Sequence, residues 1–172
     1  MKRLALLVPV TIGLMLSGCG LRPLYGGGGN GAVAKTLGTV EIVPMPGKAG
    51  WLMKNALDDR LAAMSSGSAQ YRLEIELQDL ITGYGLTADN ATTRERRSLR
   101  ARYRLVTADQ GTVVLDATAG SDAGIDVVSS EYATIAAEDT ALERLTGDVA
   151  DQIIGRLALY AQRSGGAAEA PR

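Results

Sequence analysis

Apolar and polar residues alternate along three segments of the chain, with the two-residue period of a half-buried β-strand. In residues 71–78 Tyr, Leu, Ile and Leu alternate with Arg, Glu, Glu and Gln. The same period returns in 94–107 and from Thr112 to about residue 122. A shorter apolar run, 39–43, stops before Pro44. These patterns predict four strands.

Two segments follow a helical period instead. Residues 49–65 carry Met53, Leu57 and Leu61 at steps of four, which predicts an amphipathic helix. From Ile135, apolar residues recur at steps of three and four, which predicts a second helix of up to about 30 residues. Glu138 and its neighbour Asp139 interrupt that stripe. The first turns of the second helix are therefore expected to project beyond the sheet or bend away from it.

The predicted order is β-α-β-β-β-α, which is typical of an α+β fold. A loop over 83–93 and a turn over 108–111 join the last three strands as an antiparallel meander. The first strand reaches them through a helix and is expected to lie parallel to its neighbour. We expect a two-layer sandwich, a four-stranded mixed sheet covered on one face by two helices.

The N-terminus has the features of an export signal. Lys2 and Arg3 precede an apolar run, 4–16, which is too short to span a bilayer of about 30 Å. The run ends in Leu-Ser-Gly-Cys19, which resembles the lipobox of bacterial lipoproteins. That resemblance implies cleavage before Cys19, a diacylglycerol on its sulfur and an acyl chain on its new amino terminus. The alternative is a buried helix whose thiol lies there by chance.

Four regions follow from these signals. Residues 1–18 are expected to be a cleaved signal peptide, and 19–36 a lipidated cysteine followed by a glycine-rich tether. The sandwich domain is expected over 37–163, and a loose tail over 164–172.

Composition excludes several kinds of active site. The chain has no histidine and one cysteine, so Cys/His zinc sites, Ser-His-Asp triads and disulfides are excluded. The net charge of −1 does not suit a globally basic nucleic-acid binder. Carboxylates at 58–59 and 138–139 are adjacent in predicted helices, where neighbours diverge rather than converge on a substrate. We predict no enzyme activity, no metal and no cofactor beyond the covalent lipid on Cys19.

Five arginines share the polar face of one predicted strand, and we call them the arginine ladder. They are Arg94, Arg96, Arg100, Arg102 and Arg104. One interpretation is a solvated lattice of salt bridges with acids of the neighbouring strands, Glu74, Glu76, Asp116 and Asp122. With Arg72, this count leaves a surplus of about two positive charges. The other interpretation is that the surplus binds a phosphate-rich ligand or an acidic partner, since arginine binds phosphate in a bidentate way.

Two runs resemble a known family. The opening Cys19–Tyr25, CGLRPLY, and the later run 129–139, SSEYATIAAED, are similar to alphaproteobacterial members of the lipopolysaccharide-assembly lipoprotein family, LptE. The predicted element order, the lipobox and the length are similar too. The resemblance covers roughly Cys19 to Arg163.

The resemblance implies a non-enzymatic lipoprotein on the periplasmic side of the outer membrane. Such proteins plug the β-barrel LptD, aid its assembly and engage lipopolysaccharide. Gly20 after the cysteine is compatible with outer-membrane sorting. From charge and placement, Arg94, Arg96 and Arg97 are the nearest candidates for lipopolysaccharide or partner contact, followed by the rest of the ladder. The export signal argues against a nucleic-acid partner.

Two other functions stay open at this point. A free-standing periplasmic ligand-binding lipoprotein predicts a concave apolar pocket. A membrane-tethered hydrolase predicts two convergent carboxylates in a cleft.

Overall fold

The computed structural model describes residues 31–64, 67–86 and 92–168. The predicted signal peptide, Cys19, most of the predicted tether and residues 169–172 of the predicted tail lie outside the described residues. In chain order the elements are α1 (Ala32–Leu37), β1 (Val40–Ile42), α2 (Gly47–Ala62), β2 (Tyr71–Leu86), β3 (Thr92–Thr107), β4 (Val113–Asp126) and α3 (Glu131–Ala168).

The four strands form one sheet in the order β1-β2-β3-β4. β2, β3 and β4 are an antiparallel meander, with Leu73 opposite Leu105 and Leu105 opposite Leu115. β1 is parallel to β2, with Val40 opposite Tyr71. The predicted α+β fold with a mixed four-stranded sheet is confirmed, including the parallel first strand.

The helices lie on one face of this sheet. α3 packs across β3 and β4, and α2 packs beside it, over β1 and β2. Leu73, Leu99 and Tyr103 from the sheet meet Leu57 and Leu145 from the helices, and all five are almost completely buried. Burial of this kind stabilises a fold by about 1.5–3 kcal/mol for each large apolar side chain.

A polar contact fixes α2 against α3. The guanidinium Nε of Arg60 lies 2.6 Å from Oδ1 of Asp151, and Nη2 donates to the carbonyl of Gly147 at 3.1 Å. Nη1 donates to the carbonyl of Ala56 within α2. One side chain therefore joins α2 to α3 through two hydrogen bonds, and a third holds it against its own helix.

The predicted tether is wrong at its C-terminal end. Residues 32–36, assigned to the tether, belong to α1, which packs against α3. Val33, Ala34 and Leu37 are buried there. Leu37 follows Val33 by four residues and Ala34 by three, so the three side chains lie on one face of α1. That face packs against α3.

The predicted loop over 83–93 is also too long. β2 continues to Leu86 and β3 begins at Thr92, so the strands pair through residues whose side chains gave no alternating pattern. Gly85 has a φ of +77°, which glycine adopts readily, and the hydroxyl of Thr93 donates to its carbonyl at 3.0 Å. β4 likewise extends beyond residue 122, to Asp126.

The last helix is longer at both ends than its apolar stripe predicts. α3 begins at Glu131 and continues to Ala168, so residues 164–168 of the predicted tail are helical. The hydroxyl of Ser164 donates to the carbonyl of Tyr160 at 2.9 Å. Among the described residues, no helix is apolar over enough of its length to cross a membrane.

The start of α3 does not bend away at its two acids. The carbonyl of Glu138 accepts a hydrogen bond from Arg97 of β3, and Asp139 forms an ion pair of 2.7 Å with Lys48 of α2. Thr134, one turn earlier, is buried. The apolar stripe is interrupted because this part of the helix packs on polar partners.

Candidate interaction surface on the open face of the sheet

The arginine ladder lies on the face of the sheet that the helices leave open. In β3 the odd-numbered Leu99, Ala101 and Tyr103 point to the helices and are buried. Successive side chains of a strand point to opposite faces, so the even-numbered arginines point outward. Side-chain exposure ranges from 42% for Arg104 to 63% for Arg94. The predicted face for the five ladder residues is confirmed.

Acids on both neighbouring strands pair with most of the ladder. Three pairs join β3 to β4: Arg94 to Asp126 at 3.3 Å, Arg100 to Asp122 at 3.0 Å, and Arg102 to Asp116 at 3.0 Å. Arg104 reaches toward β2 instead, 3.3 Å from Glu74 and 3.8 Å from Glu76. The four acids assigned to this face from the sequence therefore all contact an arginine.

The predicted surplus of positive charge on this face is wrong. Asp126 was missed because β4 was expected to end near residue 122, and Glu41 was missed because the register of β1 was unknown. Glu41 lies opposite Arg72 in the parallel pair, and Asp126 lies opposite Arg94. Six arginines, Arg72 and the ladder, thus share the face with six acids, Glu41, Glu74, Glu76, Asp116, Asp122 and Asp126. The face is balanced in charge rather than positive.

These contacts shift acid pKa values in the direction expected for a salt-bridge lattice. The hydrogen bond from Arg102 lowers the pKa of Asp116. Hydrogen bonds from Ser98 first, and then from Arg100, lower the pKa of Asp122. Both carboxylates are exposed, with 42% of the Asp116 side chain and 44% of the Asp122 side chain accessible, so water and salt screen these interactions. Each of these exposed pairs therefore adds little to the stability of the fold.

Arg96 differs from the other ladder residues. Its neighbours across the strands are Thr82 and Gly124, which supply no carboxylate. Its guanidinium carbon lies instead 5.7 Å from the centre of the Tyr84 ring, in a cation–π contact. Within the described ranges, no acid lies within ion-pair distance of Arg96. It is thus the ladder arginine most available to an external anion.

Arg97 lies on the opposite face from the other candidates. Its Nε and Nη2 donate to the two carboxylate oxygens of Asp79 at 2.8 and 2.5 Å, and its Nη1 donates to the carbonyl of Glu138 at 2.7 Å. Arg97 is 8% exposed beneath the start of α3. The hydrogen bonds that Arg97 donates to Asp79 raise the pKa of this guanidinium. Grouping Arg97 with Arg94 and Arg96 by sequence proximity placed it on the wrong face; its odd number, shared with Leu99, was the signal.

The distal end of the sheet exposes apolar side chains that the sequence pattern did not single out. Leu80, Ile81 and Tyr84 lie in the C-terminal half of β2 and are 55%, 38% and 42% exposed. Tyr132 and Ile135 at the start of α3 are also exposed. This end of the molecule therefore combines exposed apolar side chains with charged ones, including Arg96 and the paired Arg94 and Asp126.

One groove runs beside this end, between β4 and α3. Its lining includes Ile125, Ala136 and Ala141, together with Asp126 and Arg144. Asp126 and Arg144 are the two charged residues among the eight that line it, and the others are small residues and Ile125. Apart from Ile125, the groove has none of the large apolar or aromatic side chains that usually line a ligand pocket.

The fold and surface thus define a small α+β domain with a charge-balanced open face and apolar side chains exposed at one end. The sequence model of the LptE lipopolysaccharide-assembly family matches residues 37–157, which is most of the chain. The chain therefore belongs to the LptE family. This family is a non-enzymatic component of lipopolysaccharide assembly, associated with the lipopolysaccharide transport machinery.

Solved structures of lipoproteins share the fold. A lipoprotein of Caulobacter crescentus CB15 superposes with a TM-score of 0.63 at 24% identity, over 77% of this chain and 98% of that one. Rare lipoprotein B of Shewanella oneidensis gives 0.57 at 10% identity, over 74% and 97%. A minor lipoprotein of Acinetobacter baumannii gives 0.55 at 16% identity, over 70% and 88%. No curated protein matches the chain by sequence search.

Proposed function

We propose that this protein is a lipid-anchored, outer-membrane partner of the β-barrel LptD, lying within the barrel and aiding its assembly and the insertion of lipopolysaccharide into the outer leaflet. Membership of the LptE family over residues 37–157 is the observation that carries this proposal. Family membership itself supports a role in lipopolysaccharide assembly; the barrel partner and the outer-membrane location are the proposed refinement.

The open face of the sheet has the chemistry that a barrel lumen requires. The interior of a transmembrane barrel is polar, and the lipid contacts its outer surface. A plug must therefore present charged and hydrogen-bonding groups rather than a large apolar face. The balanced lattice of ladder arginines and acids does so, and pairs exposed to water can exchange partners with wall residues at little cost.

Anchoring is proposed to occur through Cys19, which lies outside the described residues. The diacylglycerol and the N-acyl chain together provide the two lipid signals that stable membrane anchoring requires. Mass spectrometry of the N-terminal peptide tests this step. The native protein should carry the lipid mass on Cys19, and Cys19→Ser should lose it and leave the membrane fraction. An unmodified thiol at Cys19 in the native protein would overturn the anchor.

We propose that the arginine ladder contacts lipopolysaccharide, mainly through Arg94 and Arg96. The other ladder arginines, Arg100, Arg102 and Arg104, would contribute only when their ion pairs with neighbouring acids break. Bidentate recognition of phosphate is the chemistry involved. Arg94→Ala/Arg96→Ala should weaken binding of purified lipopolysaccharide by about tenfold, which corresponds to about 1.4 kcal/mol. The matched comparison is Arg102→Ala/Arg104→Ala, which removes equal charge at the other end of the sheet and should weaken binding less, because acids already pair with both arginines. Equal losses in both pairs would indicate a non-specific charge effect.

Recovery of a barrel protein tests the proposal as a whole. The tagged, lipidated protein, expressed at its native level, is extracted in mild detergent and purified through the tag. A large β-barrel should co-purify in equimolar amount, and Cys19→Ser should reduce its recovery by lowering the local concentration at the membrane. Consistent purification of the protein alone from the native membrane would refute the partnership.

A further inference from the structure

The outer edge of β4 faces a groove beside α3. Two hydrogen bonds show which backbone groups of β4 point outward. The N–H of Val127 donates to the carbonyl of Thr93, so odd-numbered residues bond to β3. The N–H of Gly120 instead donates to the side chain of Gln152 in α3, on the other side of the strand. Even-numbered residues of β4 therefore direct their N–H and C=O groups away from β3.

The side chain of Gln152 bonds to β4 as a neighbouring strand would. Its Nε2 donates to the carbonyl of Gly120 at 3.1 Å, and its Oε1 accepts from the N–H of Gly120 at 3.3 Å. A side-chain amide offers the same kinds of donor and acceptor as a peptide group. The space between β4 and α3 thus holds one amide in the position that the backbone of an added strand would occupy.

Beyond Gln152, toward the end of β4, the outward groups have no such partner. The next side-chain contact from α3 is at Val128, past the end of the strand, where the N–H donates to the hydroxyl of Thr134. Between these contacts lie Asp122, Gly124 and Asp126, all exposed. Among the described residues, none bonds to their outward N–H and C=O groups. They form an open edge about 14 Å long.

α3 presents a ridge of polar side chains to this edge. Residues four apart adjoin on a helix surface and form such a ridge. Two contacts show that it faces β4: Asp148 accepts from the hydroxyl of Ser121 at 3.2 Å, and Gln152 bonds to Gly120. One step before and one step after these two residues, the ridge continues with arginines, Arg144 and Arg156.

Two cavities flank the Gln152 contact, and each is lined by one of these arginines. A cavity of about 550 Å³ lies between residues 124–126 and α3 and includes Arg144. A cavity of about 480 Å³ lies along residues 116–119 and includes Arg156. Within the described part of the chain, neither guanidinium has a carboxylate within ion-pair distance, Asp148 included. The two acids that line the cavities pair with ladder arginines instead.

We propose that the groove between β4 and α3 binds an extended acidic segment of a partner protein as a fifth strand of the sheet. The backbone of the segment pairs with Asp122, Gly124 and Asp126. At Gly120 it replaces the amide of Gln152, so two hydrogen bonds are exchanged for two. Backbone pairing supplies affinity in strand addition, and the alternate side chains supply specificity. The inference rests on the proposed function only in requiring that a protein partner exists.

The two unpaired arginines specify the side chains of the segment. Arg144 and Arg156 are twelve residues apart, or about 18 Å along the helix axis. A strand covers that distance in about five or six residues, and only alternate side chains point toward α3. Acidic residues six positions apart therefore match both guanidinium groups. The intervening side chains, which lie beside Asp122 and Asp126 on the open face, are neutral or basic.

Hydrogen exchange resolved to single residues tests the pairing, with the lipidated protein alone and in the complex recovered from detergent. The amides of Asp122, Gly124 and Asp126 should exchange rapidly in the isolated protein and at least tenfold more slowly in the complex. Those of Ala123 and Ile125, which bond to β3, should be slow in both. Unchanged exchange at the three even-numbered positions would overturn the inference.

Charge at the groove is tested by Arg144→Ala/Arg156→Ala, which should reduce the recovered partner by about tenfold because two ion pairs are lost. The matched control, Lys35→Ala/Lys54→Ala, removes equal charge from α1 and α2 and should change recovery by about twofold or less. Neither arginine has an ion pair to lose in the isolated protein, so urea unfolding of the first variant should be unchanged. Equal losses of partner from the two variants would overturn the assignment of the acidic segment.

Two substitutions at Gly124 separate the backbone from the side chain. Gly124→Pro removes an outward N–H that β3 does not use. Gly124→Ala keeps it, and its Cβ would lie 3.6 Å from the hydroxyl of Tyr84, an ordinary contact. Gly124→Pro should reduce the recovered partner by about tenfold, and Gly124→Ala by about twofold or less. Equal reductions contradict a strand. If Gly124→Pro fails to fold, the exchange pattern of the unaltered complex decides the matter.

Other occupants give different results. Pairing between two copies of this chain would slow the even-numbered amides in the isolated protein as its concentration rises, and this would overturn the partner assignment. Recovery of a stoichiometric barrel without alternating protection along β4 would refute the fifth strand and leave the proposed function standing. Absence of any partner protein would refute the proposed function, and this inference with it.

Discussion

Removal of the Arg97 side chain should destabilise the protein far more than removal of its neighbour Arg96. Arg97 makes two hydrogen bonds to Asp79 and one to the carbonyl of Glu138. Arg97→Ala leaves a carboxylate and a backbone carbonyl partly buried without that donor. Arg96→Ala, on the open face, removes only a cation–π contact. The two variants delete the same group one residue apart, on opposite faces of β3.

The burial of the two partners sets the magnitude. The side chain of Arg97 is 10% exposed and that of Asp79 25%. Breaking a fully buried ion pair costs about 3–5 kcal/mol, and breaking an exposed one about 0.2–1 kcal/mol. Because Asp79 can regain part of its hydration, we expect Arg97→Ala to lower the free energy of unfolding by about 2–3 kcal/mol. For Arg96→Ala we expect about 0.5 kcal/mol or less.

Urea unfolding of the full chain carrying Cys19→Ser, followed by circular dichroism, measures both values. Adding Asp79→Ala to Arg97→Ala removes the carboxylate that has lost its partner and should restore part of the lost free energy of unfolding. The double variant should therefore be more stable than the sum of the two single effects predicts. If Arg97→Ala and Arg96→Ala differ by less than about 0.5 kcal/mol, Arg97 does not anchor the start of α3 as the structure implies.

Three further predictions concern helix packing and charge. Gly50→Ala should lower the free energy of unfolding by about 1–3 kcal/mol, because a Cβ there would lie 2.7 Å from the backbone of Met45. Gly155→Ala, where a Cβ would meet open space, should raise the free energy of unfolding by about 0.5–1 kcal/mol. Destabilisation by both substitutions would contradict this reasoning. Arg60→Ala should lower the free energy of unfolding in urea by about 1–2 kcal/mol, since the Arg60 hydrogen bonds join α2 to α3. A loss below about 0.5 kcal/mol would show that water replaces these hydrogen bonds at little cost. Burial and the nearby carboxylate of Glu95 raise the pKa of Glu138 above its usual value, so protonated Glu138 favours the folded state at low pH and this stability is lost as the pH rises through the raised pKa. Glu138→Gln should therefore stabilise the protein more at pH 7 than at pH 4, and an equal effect at both would refute the assignment.

The meeting of Glu95 and Glu138 illustrates what the sequence could not indicate. The two residues are 43 positions apart and come together because α3 returns across β3. Oε2 of Glu95 is buried and has no hydrogen-bond partner among the described residues. Burial of Glu138 is the main cause of its raised pKa, and the like charge of Glu95 adds to it because two neighbouring carboxylates disfavour ionisation.

Strands with regular alternation could be predicted from the sequence, and their ends could not. The face of each ladder arginine follows from the two-residue period around Leu99, which tertiary structure preserves. The distal parts of β2 and β3 escaped prediction because their order comes from backbone pairing rather than from a buried face. α1 escaped because six residues next to a glycine run carry little periodic signal, and it is the surface of α3 that stabilises it.

The candidate surface was predictable in composition but not in charge balance. Five arginines and four acids were assigned to one face correctly, yet the two remaining acids, Glu41 and Asp126, depend on the register of β1 and the end of β4. Neither is visible in a pattern of single residues. The assignment of Arg97 failed for a different reason, because nearness in sequence was given more weight than strand parity.

The short β1 has a consequence for the order of folding. The hairpins of β2, β3 and β4 close short loops, whereas β1 pairs with β2 only after the chain has passed through α2. Loop closure therefore favours early formation of the meander and late addition of β1. Ile42→Ala, which weakens the buried end of β1, should speed unfolding and leave the refolding rate nearly unchanged in stopped-flow measurements. The newly made chain would then pass through a state in which the whole outer edge of β2 is unpaired, and chaperones that bind exposed strands would have their greatest effect in that interval.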